Sequence, residues 1–214
     1  TNFIAYIYHL ILGRMLGPAQ YGVLVATISL IGMFSITFGF LGLVIIKFVS
    51  ASGAEQLDKI LSWFNRKSLL LGAFLLLLSF IATPFLSGFL KISPAIIVLV
   101  APIIFVSLLN YVYRSFLQGL LKFKETVIAS NVEFFLRLLI GVSFVYLGFS
   151  VFGVIIGVLI AAVMGLFLSL YFLRGHKMFL KKVELPDRKR ILAYAFPIFL
   201  VSLANNSLIT TDLL

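Results

Sequence analysis

Apolar runs of about twenty residues recur along this chain with only short joins between them, and that spacing decides what it can fold into. The hydrocarbon layer of a bilayer is ~30 Å thick and takes about 20 helical residues at 1.5 Å each. Such runs cover Val23–Ile46, Ser68–Leu90, Ala95–Leu117, Thr126–Leu147 and Val151–Leu173, with an incomplete one over Thr1–Leu12 and a last one over Ile191–Leu214. Composition agrees: 62% of residues are hydrophobic and 11% charged, against roughly 25% charged in soluble domains. Lipid cannot hydrogen-bond an open backbone, so each run is read as a helix; the alternation of a barrel strand is absent. The expectation is an all-α, polytopic transmembrane bundle of about seven spans. The chain has no initiating Met and no cleavable leader, opens and stops within apolar runs, and reads as a fragment of something longer.

Lysine and arginine set the orientation, because they stay on the cytoplasmic side. Taken alternately, one set of joins holds Lys47, Lys59, Arg66 and Lys67, then Arg114, Lys122 and Lys124, then Arg174, Lys177, Lys181, Lys182, Arg188, Lys189 and Arg190. The other set holds Arg14 and Lys91, while Arg137 lies inside a span. This bias predicts a cytoplasmic N-terminus in a cell membrane. It also accounts for most of the +10 net charge, so no nucleic-acid partner is expected.

The joins differ in character. LGRMLGPAQYG, Leu12 to Gly22, sets Arg14 against the end of the first span, with Gly17 and Pro18 for a sharp turn and Tyr21 at the interface. In SASGAEQLDKILSWF, Ser52 and Glu55 have the spacing of a capping box. Leu57, Ile60, Leu61 and Phe64 then repeat at helical spacing, which predicts a short amphipathic helix on the cytoplasmic surface. The longest and most basic join, residues 174–190, suits an anchor on anionic headgroups and a linker between two bundles. On this reading residues 1–173 form a first bundle of six spans and residues 191–214 begin a second.

Two spans carry strips of small residues, which let helix backbones approach closely in lipid. Gly153, Gly157, Ala161, Gly165 and Ser169 fall four apart in the sixth, and Gly32, Ser35, Gly39 and Gly42 form a looser set in the second.

Ionisable groups inside a membrane are costly and mark sites or pathways. Glu133 and Arg137 stand four apart in SNVEFFLR, a spacing that allows them to pair, with Asn131 beside them. Either they neutralise each other, or they face a watery cavity where Arg137 meets an anion; the second is the reading taken. Asn110 and Arg114 lie near the cytoplasmic end of the fourth span, and Asp212 sits in the seventh among Asn205, Asn206, Thr210 and Thr211. There is no cysteine, no zinc, phosphate-loop or nucleophile-elbow motif, and no soluble portion large enough for catalysis. An enzyme is not expected, nor a metal or organic cofactor.

LGRMLGPAQYG followed by a Gly-interrupted span resembles the opening of the polysaccharide transporters, the O-antigen flippase type, of the multidrug/oligosaccharidyl-lipid/polysaccharide flippase superfamily. The matching residues are Arg14, Leu16, Gly17, Pro18, Tyr21 and Gly22. QGLLKFKE, Arg137, LGFSVFGVIIG and YAFPIFLVSLANNSLITTD, with Pro197 and Asp212, continue the resemblance in order along the chain. It implies two bundles around a cavity that opens alternately to either side, this chain being the first bundle plus one helix of the second. It also implies a substrate: an oligosaccharide on a polyprenyl phosphate or pyrophosphate, flipped from the cytoplasmic to the outer leaflet. Arg14 and Arg137, with Arg114 as a third, would meet the phosphate, and Asn110 and Asn131 are the polar groups assigned to the same cavity. Glu133 is not assignable in the family pattern. If the protein were instead a multidrug antiporter of the superfamily, Glu133 or Asp212 would couple Na+ or H+. A third reading is a membrane scaffold or partner of a glycan polymerase, without transport.

Overall fold

The computed structural model describes residues 2–178, 191 and 193–202. Asp212, with the rest of residues 203–214, and most of the basic join, residues 179–190, lie outside the described residues. Six helices are formed among the described residues: α1 (Asn2–Ser50), α2 (Ala54–Leu90), α3 (Pro94–Gly119), α4 (Phe123–Tyr146), α5 (Ser150–Phe172) and α6 (Ala193–Ser202). The first five are long and apolar enough to cross a membrane. Many large apolar side chains lie on the outside, among them Phe74, Leu77, Ile81, Phe85 and Phe89 along α2, as a lipid-facing surface requires.

A straight helix of 49 residues would be about 73 Å long, more than twice the hydrocarbon layer. α1 is therefore two arms, residues 2–16 and 18–50, broken at Gly17, whose backbone sits at φ 73° and ψ 169°. That region is open essentially to glycine alone, and Pro18 supplies a preset φ at the start of the second arm. The break reverses the chain: the Tyr21 hydroxyl comes 3.2 Å from His9 Nδ1, although twelve helical residues would separate them by about 18 Å. The two arms thus carry the first and second spans read from the sequence.

α2 departs from expectation. The segment predicted as a separate surface helix is continuous with the third span in one 37-residue helix. Its N-cap is Gly53, with no side-chain cap, and the Ser52 hydroxyl donates backward to the Phe48 carbonyl, so the capping box is not formed. Ile60, Leu61 and Phe64 are buried in the protein rather than turned toward headgroups. At about 55 Å, α2 outruns the bilayer core and stands proud of it at one end.

That end is defined by the other contacts. The turns at Gly17, Lys91–Ser93 and Gly148–Ser150 lie together: the Ser150 hydroxyl donates to Gln20 Oε1, and Gln20, Lys91, Ser93 and Ser150 share one shallow hollow. At the opposite, basic end, Lys122 Nζ donates to the Phe172 carbonyl at 3.2 Å. There the start of the basic join is strapped to α2, with Ser62 Oγ donating to the Lys177 carbonyl (2.7 Å) and Asn65 Nδ2 to the Met178 carbonyl (3.0 Å). Tyr113 Oη of α3 donates to Asn65 Oδ1 at 2.8 Å, and His176 Nδ1 lies 3.6 Å from Asp58 Oδ1.

α3 is the central helix, with Ile103, Ile104, Leu108, Val112 and Phe116 fully buried. The small-residue strip of α5 packs as its spacing predicts. A Cβ on Gly157 would lie 3.1 Å from the backbone nitrogen of Gly141 on α4, so two glycines meet where those helices cross. In the second span Gly42 abuts Tyr111 and Ser115 of α3, but Gly32 faces open space. Gly17→Ala is expected to cost about 1–3 kcal/mol, the strain of that backbone region, and Gly22→Ala, where a Cβ meets nothing, to be near neutral. Thermal unfolding of the purified full-length protein in detergent checks both.

Candidate functional site

Polar side chains from two apolar helices, α3 and α4, converge on one cavity of about 460 Å³. α3 supplies Ser107, Asn110, Tyr111, Arg114, Ser115 and Gln118, which recur at three- and four-residue intervals and so share a face. α4 supplies Thr126, Ser130, Glu133, Phe134 and Arg137 on the same principle, and the second arm of α1 closes the space with Ile31, Leu43 and Ile46. The cavity runs from mid-span toward the basic end of the bundle.

Its charges are not paired as local spacing suggests. Glu133 Oε2 accepts from Arg114 Nη2 on α3, in an ion pair with both side chains about four-fifths buried. Arg137 therefore keeps no carboxylate among the described residues; its guanidinium carbon lies 5.9 Å from the Phe134 ring centre, and the buried Tyr8 hydroxyl is within electrostatic reach. Either pairing would neutralise one arginine and leave the other; the packing of α3 against α4 decides which, by bringing Arg114 Nη2 onto Glu133 Oε2.

α5 makes room for the pair. A Cβ at position 165 would fall 2.6 Å from Glu133 Oε2 and 3.2 Å from Arg114 Nη2, so this member of the small-residue strip serves the cavity as well as the packing. Asn110, 4% exposed, donates Nδ2 to the Ala162 carbonyl at 2.8 Å. Its Oδ1, the Arg114 Nε and the Tyr8 hydroxyl are buried with no hydrogen-bond partner among the described residues. Asn110 and Arg114 both line this cationic cavity, and their two atoms give an acceptor and a donor suited to a polar, anionic ligand.

The chain matches the family of polysaccharide biosynthesis proteins over residues 1–213. It belongs to that family. Solved structures of similar fold include a multidrug resistance MATE family transporter of the MOP superfamily, inward-facing (19% identity, TM-score 0.77) and outward-facing (19% identity, TM-score 0.75). In each, 94% of this chain and 49% of that one are covered. A MOP superfamily transporter from Pyrococcus furiosus, described as having a binding pocket of reversed polarity, matches at 18% identity and TM-score 0.72, over 94% of this chain and 49% of that one. No curated protein matches. This member of the polysaccharide biosynthesis family spans about half the length of those transporters and has the fold of one of their halves.

Within this family member, Arg114, Arg137, Asn110 and Glu133 meet in the cavity. Arg14 does not join them: it is exposed, one turn before Gly17 at the turn end. Asn131 is exposed as well, about a third of a turn off the cavity face of α4. Gly17 and Pro18 shape the hairpin, Gly22 lies within the second arm with open space around it, and Tyr21 packs edge-on to His9. Sequence reasoning passed over Ser107, Tyr111, Ser115, Gln118, Thr126 and Ser130, whose signal was the helical spacing of polar residues within apolar spans.

Glu133→Gln leaves Arg114 without its counter-charge and is expected to destabilise the protein by about 1–3 kcal/mol, between exposed and fully buried pairs. Arg114→Gln combined with it should recover part of the loss, and a double-mutant cycle of unfolding in detergent measures the coupling.

Proposed function

We propose that this protein is the first bundle, with the opening helix of the second, of a transporter that flips lipid-linked oligosaccharide by alternating access. One observation carries the reading: Arg137 stands in a polar cavity with no carboxylate partner among the described residues, while the neighbouring Arg114 is already neutralised by Glu133. A free guanidinium at mid-span stabilises the phosphate or pyrophosphate that links sugar to carrier, by charge-assisted and often bidentate hydrogen bonds. Asn110 Oδ1, which accepts from no described residue, supplies an acceptor for a sugar hydroxyl, and the isoprenoid tail stays in the bilayer. Membership of a polysaccharide biosynthesis family supports the choice of substrate.

The direction follows from charge. The joins rich in lysine and arginine face the cytoplasm, so the cavity, which lies toward the basic end, is loaded from that side. Residues 174–190 then link the bundles in the cytoplasm, and Arg14, exposed at the turn end, meets the phosphate late, on the outer side. Glu133 carries its own counter-charge, which weighs against a free carboxylate coupling Na+ or H+.

Arg137→Gln in the full-length protein should reduce flipping roughly tenfold or more, the factor that losing a hydrogen bond to a charged group produces, with protein level unchanged. The assay is lipid-linked oligosaccharide by leaflet, together with surface glycan, in cells lacking the native gene. Normal export by the variant would remove the cavity from the mechanism.

A further inference from the structure

A second hollow, of about 600 Å³, lies between the second arm of α1, α2 and α6. Its floor is apolar, with Phe40, Val44, Ile45 and Leu71, and Trp63 borders it. Its rim carries Arg66 and Lys67, both exposed. No acid lines it among the described residues, and neither cation has a carboxylate partner among them.

Depth gives this arrangement a meaning. Leu90 ends α2 at the turn end, and Arg66 and Lys67 lie about 35 Å up the helix from it. A hydrocarbon layer of ~30 Å therefore ends just below them. The cations stand at the headgroup layer, Leu70 and Leu71 at the outermost acyl carbons, and Trp63 about one turn further out. A basic pocket between helices on the cytoplasmic side, floored by apolar residues, complements a lipid with an anionic headgroup.

The hollow is separate from the Arg137 cavity. On the second arm of α1, Phe40, Leu41, Val44 and Ile45 line the hollow, and Ile31, Leu43 and Ile46 line the cavity. At 100° per residue these sets lie on nearly opposite faces, roughly 170° apart. A lipid whose phosphate reached Arg137 would have to pass around the helix to lay its tail in the hollow. The occupant is therefore a lipid of the surrounding bilayer and not the transported one.

We propose that this hollow is a binding site for an anionic phospholipid, its phosphate on Arg66 and Lys67 and one acyl chain running from there over Leu70 and Leu71. The lipid seals the joint between α1, α2 and α6, where Phe40 meets Phe199 and Lys47 lies 3.5 Å over the Tyr194 ring.

The test uses the full-length protein in neutral detergent, exposed to phosphatidylglycerol or phosphatidylcholine, with retained lipid counted by native mass spectrometry. Phosphatidylglycerol should be retained over phosphatidylcholine. Arg66→Gln with Lys67→Gln should cut its retention roughly thirtyfold, the scale of two headgroup contacts. Leu71→Trp, which fills the floor and leaves the charges, should cut it as well. Lys124→Gln with Lys177→Gln, an equal loss of charge at the same end, should not. Equal retention of the two lipids, or a loss as large in the Lys124 and Lys177 variant, overturns the site. So does polyprenyl phosphate displacing phosphatidylglycerol through Arg66 and Lys67, which would hand the hollow to the transported lipid. Flipping that depends on Arg137 is read in a separate assay, so either proposal can fail without the other.

Discussion

An arginine and a glutamate can stand inside hydrocarbon at low cost only by meeting each other, and the contact between Arg114 and Glu133 arranges much of this molecule around itself. It ties α4, which packs chiefly against α5 and buries little beyond Thr126, Ala129 and Gly141, to the central helix. It requires a residue without a side chain at position 165, where any Cβ would press on the carboxylate. It also leaves the neighbouring Arg137 without a carboxylate among the described residues. Removing both partners costs less than removing one, because a lone charge is what the bilayer penalises.

Most of the architecture was legible in the sequence because hydropathy is a direct reading of the solvent. Where lipid surrounds a helix, apolar length reports its extent, so the arms of α1 and the spans in α2 to α5 could be placed. That signal stops at the membrane surface. Asn65, Arg66, Lys67 and Ser68 look like a break, yet they continue α2, since outside hydrocarbon nothing obliges a helix to end at a polar residue. The capping box failed for a similar reason: Ser52 has a carbonyl to bond one turn behind it, at Phe48, and the helix starts without it.

The candidate site was legible in its members more than in its pairing. Arg114, Glu133 and Arg137 stood out because charge is rare in these spans, and three of the four residues that now meet in the cavity were singled out for that reason, with Asn110 found by polarity. Which acid pairs with which base depends on how α3 and α4 pack, and spacing along one helix cannot supply that. The smaller polar residues, Ser107, Ser115 and Thr126, hid among abundant serines and threonines, since a hydroxyl is easily absorbed by its own helix, as Ser115 Oγ donating to the Tyr111 carbonyl shows.

The strap between α2 and the first residues of the basic join has a mechanical consequence. Ser62 and Asn65 grip consecutive carbonyls, those of Lys177 and Met178, on the part of α2 at and beyond the headgroup layer. A rod about 55 Å long, embedded over half its length, acts as a lever with its fulcrum at the membrane surface, and the join is fastened to the free arm. Any tilt of α2 within the lipid is therefore delivered to Lys177 and Met178 without slack, as a lever's stroke that a loose tether would absorb.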